Sequence, residues 1–452
     1  MTALPTITEL NQALTKGQVT SIDLTEAALA RIQASEKLSV FTKTYALQAR
    51  AAAKASDTLR AAGLARSLVD GLPISIKDLF DVAGETTLSG SVVLKNAPKA
   101  RQNAVIVQRL VEAGAIIVGR TNMTEFAFSG LGLNPHYGTP SSPWDRASGR
   151  IPGGSSSGAG VSVADGMSVA AIGTDTGGSI RIPSAFCGLA GFKPTASRVP
   201  TQGALPLSFS LDSIGPLAAS VNCCAILDAI LSAQPYEAPV APQLAQLRFA
   251  IPSSVVLDEA DDHVRAVFER TIELIRNAGA QVDLVDIPEF EQLASINSQG
   301  GLICAEAWAW HRSLLSSQAD QYDPRVASRI LRGKEISAAD YIQLQQTRLQ
   351  WIAAVEQRLA HYDGLLMPTT PIIAPRIQDL QASDTAYFKA NGLILRNPTL
   401  INFLDGCALS IPCHPHGTAP VGLMIAGTKL RDRHILNAGL ALEQLLSDPG
   451  VR

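Results

Sequence analysis

Residues 173–184 read GTDTGGSIRIPS and follow the apolar run 168–172. That run reads as a strand, and Gly177 and Gly178 beyond it let the backbone turn until successive N–H groups face one point. Such an arrangement suits an oxyanion, and it presents Ser179 beside amide donors. A second loop, residues 152–160, PGGSSSGAG, packs four glycines and three serines into a backbone-lined site or a flexible turn. A phosphate-binding loop would need a lysine followed by Ser or Thr at the helix start, and none is present. Residues 154–158 satisfy the G-x-S-x-G pattern of a nucleophile elbow, but Arg150, Ile151 and Pro152 do not form the strand that must precede one. Further upstream, residues 71–78, GLPISIKD, place Lys77 at the end of an otherwise apolar strand. A lysine there, taken alone, is usually a surface residue with its head in water.

Around these loops the chain alternates strand and helix patterns. Strand-like runs at 72–76, 115–118, 168–172, 247–251, 282–285, 364–367, 408–411 and 421–425 are interleaved with helical patterns at 46–62, 104–113, 157–165, 222–232, 261–278, 302–315, 338–359 and 433–446. Ser21 reads as the N-cap of an earlier helix. This alternation predicts an α/β fold: one large mixed β-sheet flanked by helices on both faces. A length of 452 residues would give about three domains at ~150 residues each. Only 235–242, with its three prolines, reads as a joint. The expectation is therefore a single domain over 1–452, with helices in 1–65, the motif-bearing core in 71–216 and a helix-rich insertion in 240–362. Of 35 glycines, 21 lie between Gly71 and Gly215, so backbone crowding is concentrated in the core.

Hydrophobic residues at 46%, charged residues at 17% and a net charge of -3 argue against a disordered chain or a nucleic-acid partner. The first twenty residues lack an apolar stretch behind basic residues, and no apolar run approaches the ~18 residues of a membrane span. Six cysteines without a CxxC pair read as reduced thiols, which predicts a cytoplasmic setting. Cys413, His414 and His416 cluster, but Pro415 stiffens them and no second set of ligands stands beside them, so neither a metal nor another cofactor is expected.

Taken in order, GLPISIKD, GGSSSG and GTDTGGSIRIPS resemble the amidase signature family. Lys77 precedes Ser155 by 78 residues and Ser155 precedes Ser179 by 24, a spacing that agrees with it. TNMTEF at 121–126 and GLAGFKP at 188–194 are similar to the family's flanking segments, and PVGLMI at 420–425 also fits. The likeness is detailed over 71–216 and looser beyond. It implies the amidase signature fold and a Ser-cisSer-Lys triad: Ser179 as nucleophile, Ser155 as bridging serine behind a cis Gly154–Ser155 peptide, and Lys77 as ultimate base. It further implies an oxyanion hole formed by the N–H groups of Thr176, Gly177, Gly178 and Ser179. The chemistry of the side chains agrees with these roles. A hydroxyl both donates and accepts, so Ser155 can relay a proton. Lys77 must be desolvated to act, because at its reference pKa of ~10.4 only about one lysine in a thousand is neutral near pH 7.4.

Asp175 and Arg181 bracket Ser179 and read as an ion pair holding the turn, and His136 reads as a loop residue. Pocket walls are expected from 126–133, from 300–311 with Trp308 and Trp310, and from 397–407, although each tryptophan reads first as core packing. No Arg or Lys in 126–137 offers itself to a substrate carboxylate, which favours a neutral acyl group. The expected activity is that of a serine hydrolase cleaving C–N bonds of small aryl or aliphatic amides, with carbamates (a urethanase activity) and esters compatible. Two alternatives stand beside it: the amidase subunit of a glutamine-dependent amidotransferase, and an inactive scaffold. The expected partner is a small-molecule substrate, and a homodimer is compatible with the sequence.

Overall fold

The computed structural model describes residues 4–448. Its strands are β1 (Phe41–Thr44), β2 (Pro73–Lys77), β3 (Ile116–Thr121), β4 (Ala170–Asp175), β5 (Ala190–Lys193), β6 (Ser213–Ala218), β7 (Arg248–Pro252), β8 (Gln281–Val285), β9 (Gly364–Pro368), β10 (Cys407–Pro412) and β11 (Gly422–Gly427). All join one sheet in the order β1-β3-β2-β4-β6-β5-β10-β11-β9-β7-β8. Strand β2 runs parallel to β3 and β4, and β7 runs parallel to β8 and β9, while the strands between pair antiparallel. The sheet is mixed, as the alternating pattern predicts. The passage from β2 through the helix Val105–Glu112 to β3 is a parallel crossover.

Side chains alternate across the sheet with the two-residue period of a strand. Ile74, Ile76, Ala170, Ile172, Leu423 and Ile425 point into one core, which is closed by the helices Val105–Glu112, Val221–Ser232, Asp262–Asn277 and Asp432–Ser447. Their neighbours face the other way. Val118 and Ala171 pack under the helices Ser21–Ala34, Ala46–Ala61 and Ser157–Ala164, and Met424 and Ala426 pack under Pro288–Ile296 and Ala338–Leu359. Strands β2 and β4 are buried along their whole length, which is why they read as continuous apolar runs.

Several boundaries differ from the sequence reading. Thr20, not Ser21, caps the second helix, accepting from Asp23 N–H, while the Ser21 hydroxyl donates to the Gly71 carbonyl at 2.8 Å. Strand β4 begins at Ala170 rather than 168 and runs through Asp175. Strands β1, β5 and β6 and the helix Asp384–Phe403 were not legible. Strand β6 carries Gly215 and Pro216, and the helix carries Pro398, and proline ordinarily ends either pattern. The stretch 240–362 supplies β7 and β8 at one sheet edge together with its helices. The proline-rich segment 235–242 is irregular chain, tied to the last helix by Arg433, which donates to the carbonyls of Glu237 and Ala238.

Candidate active site

Three loops converge at the C-terminal ends of β2 and β4. Lys77 ends β2, is fully buried, and donates from Nζ to Ser155 Oγ at 2.7 Å and to Thr174 Oγ1 at 2.8 Å. Burial drives its pKa down to about 7 against the opposing charges of Asp212 and Asp175.

Ser155 precedes the helix Ser157–Ala164, and the Gly154–Ser155 peptide is cis. Both of its flanks are tied to the 122–133 segment. Gly154 N–H donates to the Gly130 carbonyl at 2.8 Å, and Thr124 N–H donates to the Ser155 carbonyl at 3.1 Å. A Cβ on Gly154 would lie 2.5 Å from Gly132 N, so only glycine fits there. The neighbouring serines point elsewhere, Ser156 to the Thr174 carbonyl at 3.4 Å and Ser157 to the Asn122 carbonyl at 3.3 Å. Neither hydroxyl is held by Lys77, which sets aside the elbow pattern at 154–158.

Ser179 lies between β4 and the helix Arg181–Cys187 and is 4% exposed. Ser156 N–H donates to its carbonyl at 3.3 Å, which draws the two glycine-rich loops together. Asp175 shapes the turn. Its carboxylate accepts from Gly178 N–H at 2.8 Å and Ile180 N–H at 3.1 Å, and pairs with Arg181 through Nη2 at 2.8 Å and Nε at 3.0 Å. Burial pushes the Asp175 carboxyl up, but the Arg181 guanidinium outweighs it and holds the group well below the usual carboxylate range. Asn402 completes the cluster, accepting from Arg181 at 2.6 Å and donating to Asp175 at 2.9 Å. Asp175 and Arg181 thus form the fully buried ion pair that the sequence reading expects.

Of the four amides expected to face an oxyanion, that of Gly178 donates to the Asp175 carboxylate. The amides of Gly177 and Ser179 have no acceptor among the described residues. Gly178 has a φ of +124°, and a Cβ there would meet Ile182 Cδ1 and Pro398 Cβ at 2.6 Å.

Two participants were missed in the sequence. Thr174, inside the quoted motif, is a partner of Lys77 because β4 lies next to β2. Asp212, just before β6, accepts from Thr176 Oγ1 at 2.5 Å and from the amides of Leu207 and Ser208 at 2.9 and 3.1 Å. Burial pushes its carboxyl up to about 6. Thr174, Thr176 and Asp212 line a cavity of about 340 Å³ with Leu79, Ala127 and Phe209.

Of the three expected walls, 126–133 supplies a lining residue, while among the described residues 300–311 and 397–407 line no part of this cavity. Ala127 lines the cavity, Leu395 and Thr399 approach Gly177, and Glu306 on the helix Gly301–Gln318 accepts from Ser208 at 2.7 Å and Ser210 at 2.5 Å. Trp308 and Trp310 are partly buried against the core. His136 is bound to buried Glu125 at 2.7 Å, which also accepts from Ser91 and from Asp323 N–H at 2.7 Å each. Near Phe128 the structure also supplies a cation that the 126–137 sequence lacks: Arg329 stacks on the Phe128 ring, 4.4 Å from its centroid.

The amidase family model matches residues 23–436. The chain is 35% identical over 414 residues to a 2-amino-5-chloromuconic acid deaminase of Comamonas testosteroni, covering 91% of this chain and 89% of that protein. It is 32% identical to a glutamyl-tRNA(Gln) amidotransferase subunit of Chloroflexus aurantiacus, covering 97% of this chain and 96% of that one. A crystal structure of an amidase superposes with a TM-score of 0.89 at 32% identity, covering 97% of this chain and 99% of that chain. No helix among the described residues is long and apolar enough to cross a membrane. The chain belongs to the amidase family and is an amidohydrolase acting on the C–N bond of amides.

Proposed function

We propose that this protein hydrolyses small amides through an acyl-enzyme on Ser179, with Ser155 as proton relay and Lys77 as base. The observation that carries the reading is the buried bond from Lys77 Nζ to Ser155 Oγ at 2.7 Å, on a lysine whose pKa is lowered to about 7. Such a lysine is largely neutral at pH 7.5, where one at ~10.4 would hardly ever be.

In the first half-reaction Ser179 Oγ attacks the carbonyl carbon. Its proton passes to Ser155 Oγ, whose own proton passes to neutral Lys77. The carbonyl oxygen becomes an oxyanion facing the amides of Thr176, Gly177, Gly178 and Ser179, of which that of Gly178 also donates to Asp175. As the C–N bond breaks, the proton returns through Ser155 to the departing nitrogen. Water then attacks the ester carbonyl and loses a proton along the same relay, and Ser179 leaves with it. Asp175 and Arg181 touch none of the reacting atoms. They hold the loop that aims the amides.

Esters and carbamates present the same carbonyl, so an esterase or urethanase side activity belongs to this reading. Turnover of a p-nitroanilide should vanish in Ser179→Ala and fall severely in Lys77→Ala and Ser155→Ala. Near-normal activity in Ser179→Ala would falsify the mechanism. The amidotransferase reading draws on the likeness to the Chloroflexus aurantiacus protein, which extends over 97% of this chain. Glutamine hydrolysis that depends on a copurifying second subunit is the result that would favour it.

A further inference from the structure

We infer that the cavity beside Lys77 receives the amine half of the substrate, and that Asp212 makes it select against negatively charged amines. The inference rests on the acyl-enzyme reading, which fixes the direction of departure. A leaving nitrogen must collect a proton from Ser155, so it must stand on the side of the relay. Thr174, the second partner of Lys77, forms part of the cavity wall on that side.

The cavity's size and rim suit such a group. At about 340 Å³ it is more than twice the ~150 Å³ that admits a benzene ring. Phe209 lines it and is 65% exposed, so the space opens to solvent. Much of the wall is apolar, from Leu79, Ala127, Leu205, Leu207 and Ile214, and among the described residues Asp212 is the only ionisable one lining it.

Charge accounting gives the selectivity. Lys77 is neutral in the working state. Asp175 and Arg181 cancel as a fully buried pair behind the loop. Glu306 adds negative charge beyond the 207–211 segment, held by Ser208, Ser210 and Tyr341, while Arg348 lies near it and donates to the Ser210 carbonyl. At pH 8 the charge that remains on the cavity wall is the Asp212 carboxylate. Its bonds from Thr176 and from the Leu207 and Ser208 amides fix it in place. An amine carrying a carboxylate meets repulsion there, and one carrying an ammonium group meets attraction.

The test measures calorimetric binding of 4-(aminomethyl)aniline, aniline and 4-aminobenzoate at pH 8 to the wild type and to Asp212→Asn. In the wild type the cationic amine should bind at least about tenfold more tightly than the anionic one, and in Asp212→Asn that gap should shrink below about threefold. An unchanged gap, or a wild-type preference for 4-aminobenzoate, overturns the inference. Should Asp212→Asn fail to fold, Phe209→Ala alters an exposed residue. It should weaken all three amines by about threefold or more, and unchanged affinities would again overturn the cavity assignment. Acetanilides built from the same amines add a kinetic arm. Their kcat/KM should follow the same charge order, with Asp212→Asn flattening it, and a response to charge on the acyl side instead places the cavity in the wrong half of the substrate. Free-amine binding needs no turnover, so it separates this inference from the hydrolase reading, which fails on its own if Ser179→Ala still cleaves the anilides.

Discussion

Replacing Thr174 by Val tests how Lys77 is kept ready. The change preserves shape and removes one of the two acceptors of the Lys77 Nζ protons, the one at 2.8 Å, leaving Ser155 at 2.7 Å. A hydrogen bond from an ammonium contributes ~1.5–3 kcal/mol and one between neutral groups ~0.5–1.5 kcal/mol, so the charged form of Lys77 loses about 1 kcal/mol more than the neutral form. At 1.36 kcal/mol per pH unit this lowers the pKa by about 0.7. The assay is the second-order rate of inactivation by phenylmethylsulfonyl fluoride as a function of pH, which reads the reactivity of Ser179 without a known substrate. In the wild type the rate should rise with pH through a midpoint of about 7 and then level off. The sign follows from the base: deprotonation of Lys77 creates the active form, so reactivity is lost on the acid side. At pH 6 the rate should be about a tenth of its plateau, and Thr174→Val should bring the midpoint to about 6.3. A wild-type midpoint near that of an ordinary lysine, or an upward shift in Thr174→Val, would refute the reasoning.

Two other substitutions probe the loop rather than the base. Asp175→Asn leaves Arg181 buried without its counter-charge and should cost ~3–5 kcal/mol in urea unfolding. Because the Asp175 pKa is depressed in the folded state, its stabilisation is present above the unfolded carboxyl pKa of ~3.9 and is lost as pH falls below it. The variant's acid-unfolding curve should therefore be flatter than the wild type's in that range. Gly178→Ala puts a methyl 2.6 Å from Ile182 and Pro398 at a φ of +124°, and should lower stability by ~1–3 kcal/mol while abolishing sulfonyl fluoride labelling.

Much of the candidate site was readable from residue order. Lys77, Ser155 and Ser179 were picked out by motif; β2 and β4 lie side by side, which brings Thr174 to Lys77, and the bonds of Gly154 and Ser155 to the 124–130 segment hold the loop that brings Ser155 there. Asp175 and Arg181 were readable as a pair for a local reason: they lie six residues apart on either side of one turn. Where the reading failed, a chemical rule about single residues met a tertiary exception. Pro216 sits in a central strand and Pro398 within a helix, each supported by surroundings that no local pattern encodes. The bond from the Gly178 amide to Asp175 was likewise not legible, since only the bent chain brings that carboxylate onto the amide.

By itself the sequence singled out the side chains proposed to react and the kind of sheet that carries them, because motif spacing and alternation are properties of neighbouring residues. The tertiary structure decided the environment of those side chains: the burial that lowers Lys77, the Thr174 that partners it, and the Asp212 that marks the cavity beside it. Desolvation and charge act through space, and Lys77 and Asp212 are brought together only by the pairing of strands far apart in the chain.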